Sequence, residues 1–180
     1  MLEGIAAFVA WLGASLIVLA DGRRGLALGV ALATAGLSVV VGQGSGPAPA
    51  LLLAAGGAVS AGGRAVAGPA GWGLMPPGST PRIILSLGAA LLALWIALGI
   101  TSGPGAALRF SVLTVVGMAG ARVLSTESAE AQLAAASVVA LAVAGAAGLD
   151  ASAPAAWLCG MAAVIAAGSG WLRLGAARAA

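Results

Sequence analysis

Apolar residues fall into seven long runs: Gly4–Ala20, Gly25–Gly42, Pro49–Ala67, Ile83–Thr101, Ala106–Leu124, Ala131–Gly148 and Pro154–Leu172. Each holds about 17–19 residues, close to what a helix needs to cross a hydrocarbon core of ~30 Å. The period-two alternation of a barrel strand is absent, and the runs are too long for such strands. The pattern predicts an all-α, polytopic transmembrane helix bundle of about seven spans, one membrane-embedded domain over residues 1–180. The third and sixth runs carry the weakest signal, because Ala and Gly dominate them.

Turn chemistry separates the runs. Ala20–Gly25 (ADGRRG), Gly42–Pro49 (GQGSGPAP) and Thr101–Gly105 (TSGPG) place Gly and Pro where helices should end. Asp150 or Ser152 can cap the last helix, with Pro154 in its first turn. Ser125–Glu130 (STESAE) puts hydroxyls and two acids at the start of the sixth helix, where the dipole favours negative charge. Spans one to three and four to six are similarly spaced, with Trp11 and Trp95 in matching places, so residues 4–67 and 83–148 are a candidate 3+3 repeat followed by a seventh helix, 154–172. An odd number of helices per repeat would make the halves inverted.

Small residues supply packing faces. Gly56 with Ser60, Gly57 with Ala61, and Gly117 with Ala121 are each four apart, a spacing that lets helix backbones approach closely in lipid.

Composition agrees with the pattern. Hydrophobic residues make up 61% of the 180, and charged residues only 7%, against roughly 25% in a soluble domain. The pI near 11.2 arises from eight arginines against five acids. No basic patch is interleaved with aromatics, so nucleic acid is not an expected partner. The lipid bilayer is. Seven spans would place Arg23, Arg24, Arg82, Arg122, Arg173 and Arg178 on one side, with Arg64 if it snorkels, and Arg109 alone on the other. The positive-inside rule then gives an outside N-terminus and an inside C-terminus. The expected location is the cell membrane, a bacterial inner or plasma membrane. The start, with Glu3 and no basic residues, is not expected to be a cleavable signal peptide.

The chain has no His and no Lys, and its single cysteine, Cys159, excludes an intrachain disulfide. A His-based triad or metal site and a Ser/Lys dyad are therefore excluded. Gly57–Arg64 (GAVSAGGR) has glycines at phosphate-loop spacing, but Gly63 and Arg64 stand where Lys and Ser/Thr are required. The acids fall at predicted ends or loops, which disfavours a proton or sodium path. No enzyme activity, cofactor or metal is expected. Small helical subunits of NADH-quinone and hydrogenase-type membrane complexes are similar in size and hydropathy, but the intramembrane acids they often carry are missing, so no family is assigned.

The expected function is that of a non-catalytic accessory or scaffold subunit, associating with other membrane subunits or with itself. The alternative is a small transporter or channel for a neutral or anionic solute, with Arg64, Ser60, Thr114 and Ser137 as candidate solute contacts. The loop Gly71–Arg82 (GWGLMPPGSTPR) holds Trp72, Leu74 and Met75 out of the helices; they are expected to anchor on the lipid headgroups, the sharper reading makes them the candidate docking residues for another subunit, and a gate over a pore is the third. Arg64 is expected to snorkel to the interface.

Overall fold

The computed structural model describes residues 1–74, 80–81, 83–84, 87–88, 91–92, 95, 103, 105–149 and 154–172. Among these the chain is 86% helical and contains no strand. Six helices have complete bounds: α1 (Leu2–Leu19), α2 (Arg23–Ser45), α3 (Pro47–Val66), α4 (Ala106–Ser125), α5 (Ala129–Ala146) and α6 (Ala155–Trp171). A 3-10 turn, Ala147–Leu149, extends α5. The described residues between 80 and 95 have helical backbone and are exposed. The first five helices are long and apolar enough to cross a membrane, with mean hydropathy from 1.2 to 2.0, and α6 is a shorter apolar helix. Together they are consistent with a membrane protein.

Local chemistry sets the boundaries. Gly42–Pro49 reads as a loop, yet α2 continues through Gln43 to Ser45, and only Gly46 interrupts the helices. Its φ of 90° is open to glycine at little cost, and Pro47 starts α3 with the fixed φ a first helical turn uses. At α5, the Ser128 hydroxyl accepts from the Ala131 N–H at 3.4 Å, with Glu130 in the first turn.

The helices form two layers of three. Sequential hairpins α1–α2–α3 make one layer and α4–α5–α6 the other, with α1 against α4, α2 against α5 and α3 against α6. Facing helices run in the same direction. Gly56 abuts Ala163, and two turns further along both helices Gly63 abuts Gly170. One end of the bundle therefore gathers the α1–α2 turn, the end of α3, the α4–α5 turn and the end of α6. Both buried arginines lie there, and we call it the arginine end.

Small residues set the helix separations. A Cβ on Gly13 would lie 2.7 Å from Ala33 Cα and 2.7 Å from the Gly29 carbonyl oxygen, so α1 and α2 touch backbone to backbone. Ala10, Ala14, Ala33, Ala134 and Ala135 are buried in the same cluster. In lipid, where apolar burial gives helices little reason to associate, such close van der Waals contact is a main attraction. Gly56 and Gly57 pack as their spacing predicts, against Ala163 and the Thr34 side chain. Gly117 does not: nothing lies within 4 Å of where its side chain would begin. The outer surface stays apolar, with Trp157, Met161, Val164 and Ile165 exposed along α6.

Candidate functional site

The glycine-rich surface of α3 brings its last turns into the protein. Ser60, Gly63 and Arg64 are all buried. The Ser60 hydroxyl donates to Ser137 Oγ of α5 at 3.3 Å, and the Ser137 hydroxyl is also within 2.7 Å of the Ala134 carbonyl. One turn beyond Ser60, Arg64 Nη2 lies 2.5 Å from the Ser169 carbonyl oxygen, 2.7 Å from that of Gly170 and 3.0 Å from that of Leu172. These carbonyls belong to the C-terminus of α6, where helix geometry leaves them without intrahelical donors and the dipole is negative. Arg64 is therefore a cap supplied by the facing helix.

The expected snorkelling of Arg64 is thus incorrect. Its side chain is 1% exposed. A guanidinium next to three carbonyls is better satisfied there than by stretching past Val66 to the interface. Arg64 Nε and Nη1 are buried and without a hydrogen-bond partner.

Arg122, in the last turn of α4, repeats the arrangement on the other pair of facing helices. Its Nη2 donates to the Ala20 carbonyl at 3.2 Å, at the C-terminus of α1, and forms an ion pair with Asp21. Sequence reasoning assigned Arg122 and Asp21 to the ends of spans and missed the pair. The available signal was an arginine in the last turn of an apolar helix and an acid in a turn at the same end. The two arginines tie α3 to α6 and α4 to α1, so each outer pair of facing helices is fastened at the arginine end.

Of the other candidate solute contacts, Ser60 and Ser137 are brought together. Thr114 is buried on α4, and its hydroxyl has no partner; Thr34 and Ser38 of α2 are in the same condition. Among the described residues no group of three or more His, Cys, Asp or Glu side chains is placed to hold a metal.

The loop after α3 is fastened by its backbone. The N–H groups of Arg23 and Arg24, at the start of α2, donate to the carbonyls of Pro69 at 2.9 Å and Gly71 at 3.2 Å, and the Asp21 N–H donates to Gly73 at 3.0 Å. The loop carbonyls thus satisfy N–H groups that the helix start leaves open. Ala20 and Leu74 form an isolated antiparallel bridge. Gly73, at φ 53°, lies against Gly22. Trp72 and Leu74 are left about half exposed, and Met75 lies outside the described residues.

No family model matches the chain, and no curated protein or solved structure is significantly similar to it. Function must be argued from the residues themselves.

Proposed function

We propose that the chain is a non-catalytic multi-pass protein of the cell membrane that serves as an accessory or scaffold subunit of a larger membrane assembly. The observation that carries this reading is the 67–74 loop. Its backbone is tied to the α1–α2 turn while Trp72 and Leu74 stay exposed. An apolar pair held on a fastened backbone loses little freedom on docking, which favours binding. The buried arginines support the same reading, since both are engaged in holding helices together.

The docking test uses mild-detergent purification. Trp72→Ala with Leu74→Ala should release co-purifying membrane subunits, because a buried aromatic often dominates an interface. The helices should stay inserted. If the double variant keeps every partner, or the wild type purifies alone, the reading fails. The alternative, a small transporter for a neutral or anionic solute, would then gain. It is favoured by the buried, unpartnered hydroxyls of Thr34, Ser38 and Thr114.

Seven spans, with the N-terminus outside and the C-terminus inside, belong to the same proposal. The arginine end carries Arg23, Arg24, Arg64 and Arg122, and the far end carries Arg109, a bias that supports an inside arginine end. In a Cys159→Ser background, single cysteines at Gly44, Ala70 and Glu127, all exposed, should separate by side. An impermeant thiol reagent added outside intact cells should label Gly44→Cys and neither of the other two. Labelling of Ala70→Cys or Glu127→Cys from outside would reverse the orientation or break the span count.

A further inference from the structure

Leu74 is held at the arginine end, bridged to Ala20 at the close of α1. Gly105 opens α4 at the opposite end. Along a 20-residue helix such as α4, those ends are about 30 Å apart. The chain that joins Leu74 to Gly105 has to cover that height. As a helix, the 19 residues of Ile83–Thr101 cover about 28 Å of it. This crossing is what lets α4 start at the same end of the bundle as α1.

The two points of departure belong to neighbouring helices, because α1 and α4 lie side by side at one edge of the two layers. The outer side of α4 there is thin. Gly117 is exposed, and Gly120 and Ala121 are half-buried. Among the described residues, nothing lies within 4 Å of where a side chain on Gly117 or Gly120 would begin. Leu113 and Leu124 stand exposed on either side, so the glycines form the floor of a shallow trough. Elsewhere in this protein such positions are filled: Gly13, Gly56 and Gly63 each meet the backbone of a neighbouring helix.

The 83–101 segment carries the matching pattern. At 3.6 residues per turn, Ile84, Leu87, Leu91 and Trp95 share one side of a helix, and Ala89, Ala93 and Ala97, each four apart, share the other. The large side chains are exposed, as lipid-facing residues are. The three alanines lie outside the described residues, and their spacing is the one that lets helix backbones approach in lipid.

We propose that the Gly117 face of α4 is the docking surface for the chain's own 83–101 segment, which lays Ala89 and Ala93 against Gly117 and keeps its leucines towards lipid. The register follows from the rise of the two helices. Gly117 is 12 residues from Gly105, and Ala89 is 12 residues from Thr101, so the two are about level. A second copy of the chain or lipid alone are the other occupants this face could take. The inference rests on the seven-span reading, and not on the accessory-subunit one.

The test is disulfide trapping of the full chain in membranes, in the Cys159→Ser background. Ala89→Cys with Gly117→Cys is oxidised by copper phenanthroline beside a control, Leu91→Cys with Gly117→Cys. Mass spectrometry of the linked peptides, from copies carrying two different tags, separates links within one chain from links between chains. The Ala89 pair should close within one chain at least about tenfold faster than the Leu91 pair, because only the first is held at contact. Ala93→Cys with Gly117→Cys, one turn along, is measured as well, so that a disturbance at Ala89 does not decide the result; it too should outpace the control. The proposal is overturned if the Leu91 pair closes as fast as both alanine pairs. Links formed only between chains also overturn it and give the face to a second copy. If neither alanine pair closes while Gly44→Cys, Ala70→Cys and Glu127→Cys label by side as expected, the docking fails and the seven spans stand. If that labelling fails, the span count falls and the docking falls with it.

Discussion

Replacing Arg64 with alanine should destabilise the bundle by about 2–5 kcal/mol, the scale for a large-to-small change in a core that also strips buried acceptors of their donor. The loss has two parts. The carbonyls of Ser169, Gly170 and Leu172 lose their donor, and a buried side chain as large as arginine leaves a void at the α3–α6 contact. Arg64→Lys should cost less, because an ammonium can still approach part of the carbonyl set while losing the planar fork. Unfolding in mixed detergent micelles with increasing SDS, read by tryptophan fluorescence, measures both. Equal stability of Arg64→Ala and wild type, within about 1 kcal/mol, would return Arg64 to the role of a surface charge.

The second large effect is expected at Arg122 and Asp21. Arg122 is fully buried at its side chain, whereas Asp21 is 28% exposed. Removing the acid leaves the more deeply buried charge, so Asp21→Asn should destabilise at least as much as Arg122→Met. Solvent reaching Asp21 screens the interaction, so the single losses should be about 2–3 kcal/mol rather than the full value for a dry pair. The double variant should recover part of that loss, giving a coupling of about 1–3 kcal/mol in the cycle. Strictly additive single effects, in the same SDS titration, would show that the two side chains do not stabilise through each other.

Most of the described helices were legible in the sequence. α1, α3, α4 and α6 lie close to the apolar runs that predict them, and the Ser128 cap was readable from Ser125–Glu130. Hydropathy reports these elements well because lipid selects apolar length. It does not report which face turns inward. A lipid-facing side chain and a core side chain are both apolar, so the inner faces differ by size: Gly13 and Gly56 face backbone, while Gly117 faces open space. The Gly46 turn was placed within a longer loop, since Gly42, Gly44 and Gly46 are the same residue type and only the last adopts positive φ. The buried arginines were harder still. Arg64 meets a helix more than a hundred residues later in the chain, and nothing in the local pattern around Val66 points to α6. The Trp72 loop was recognisable by its prolines, but its fastening to Arg23 and Arg24 runs through backbone carbonyls, which any residue carries.

The two arginine caps bear on how the chain is made. Synthesis delivers α1 with Asp21 well before α4 brings Arg122, and α3 with Arg64 before α6 brings the Ser169 and Gly170 carbonyls. Each early charge is therefore made before its mate has emerged from the ribosome. Insertion and assembly are separate stages for membrane helices, and here the second stage for α3 must wait for nearly the whole chain. A nascent chain stalled before α6 leaves the Arg64 guanidinium without those carbonyls.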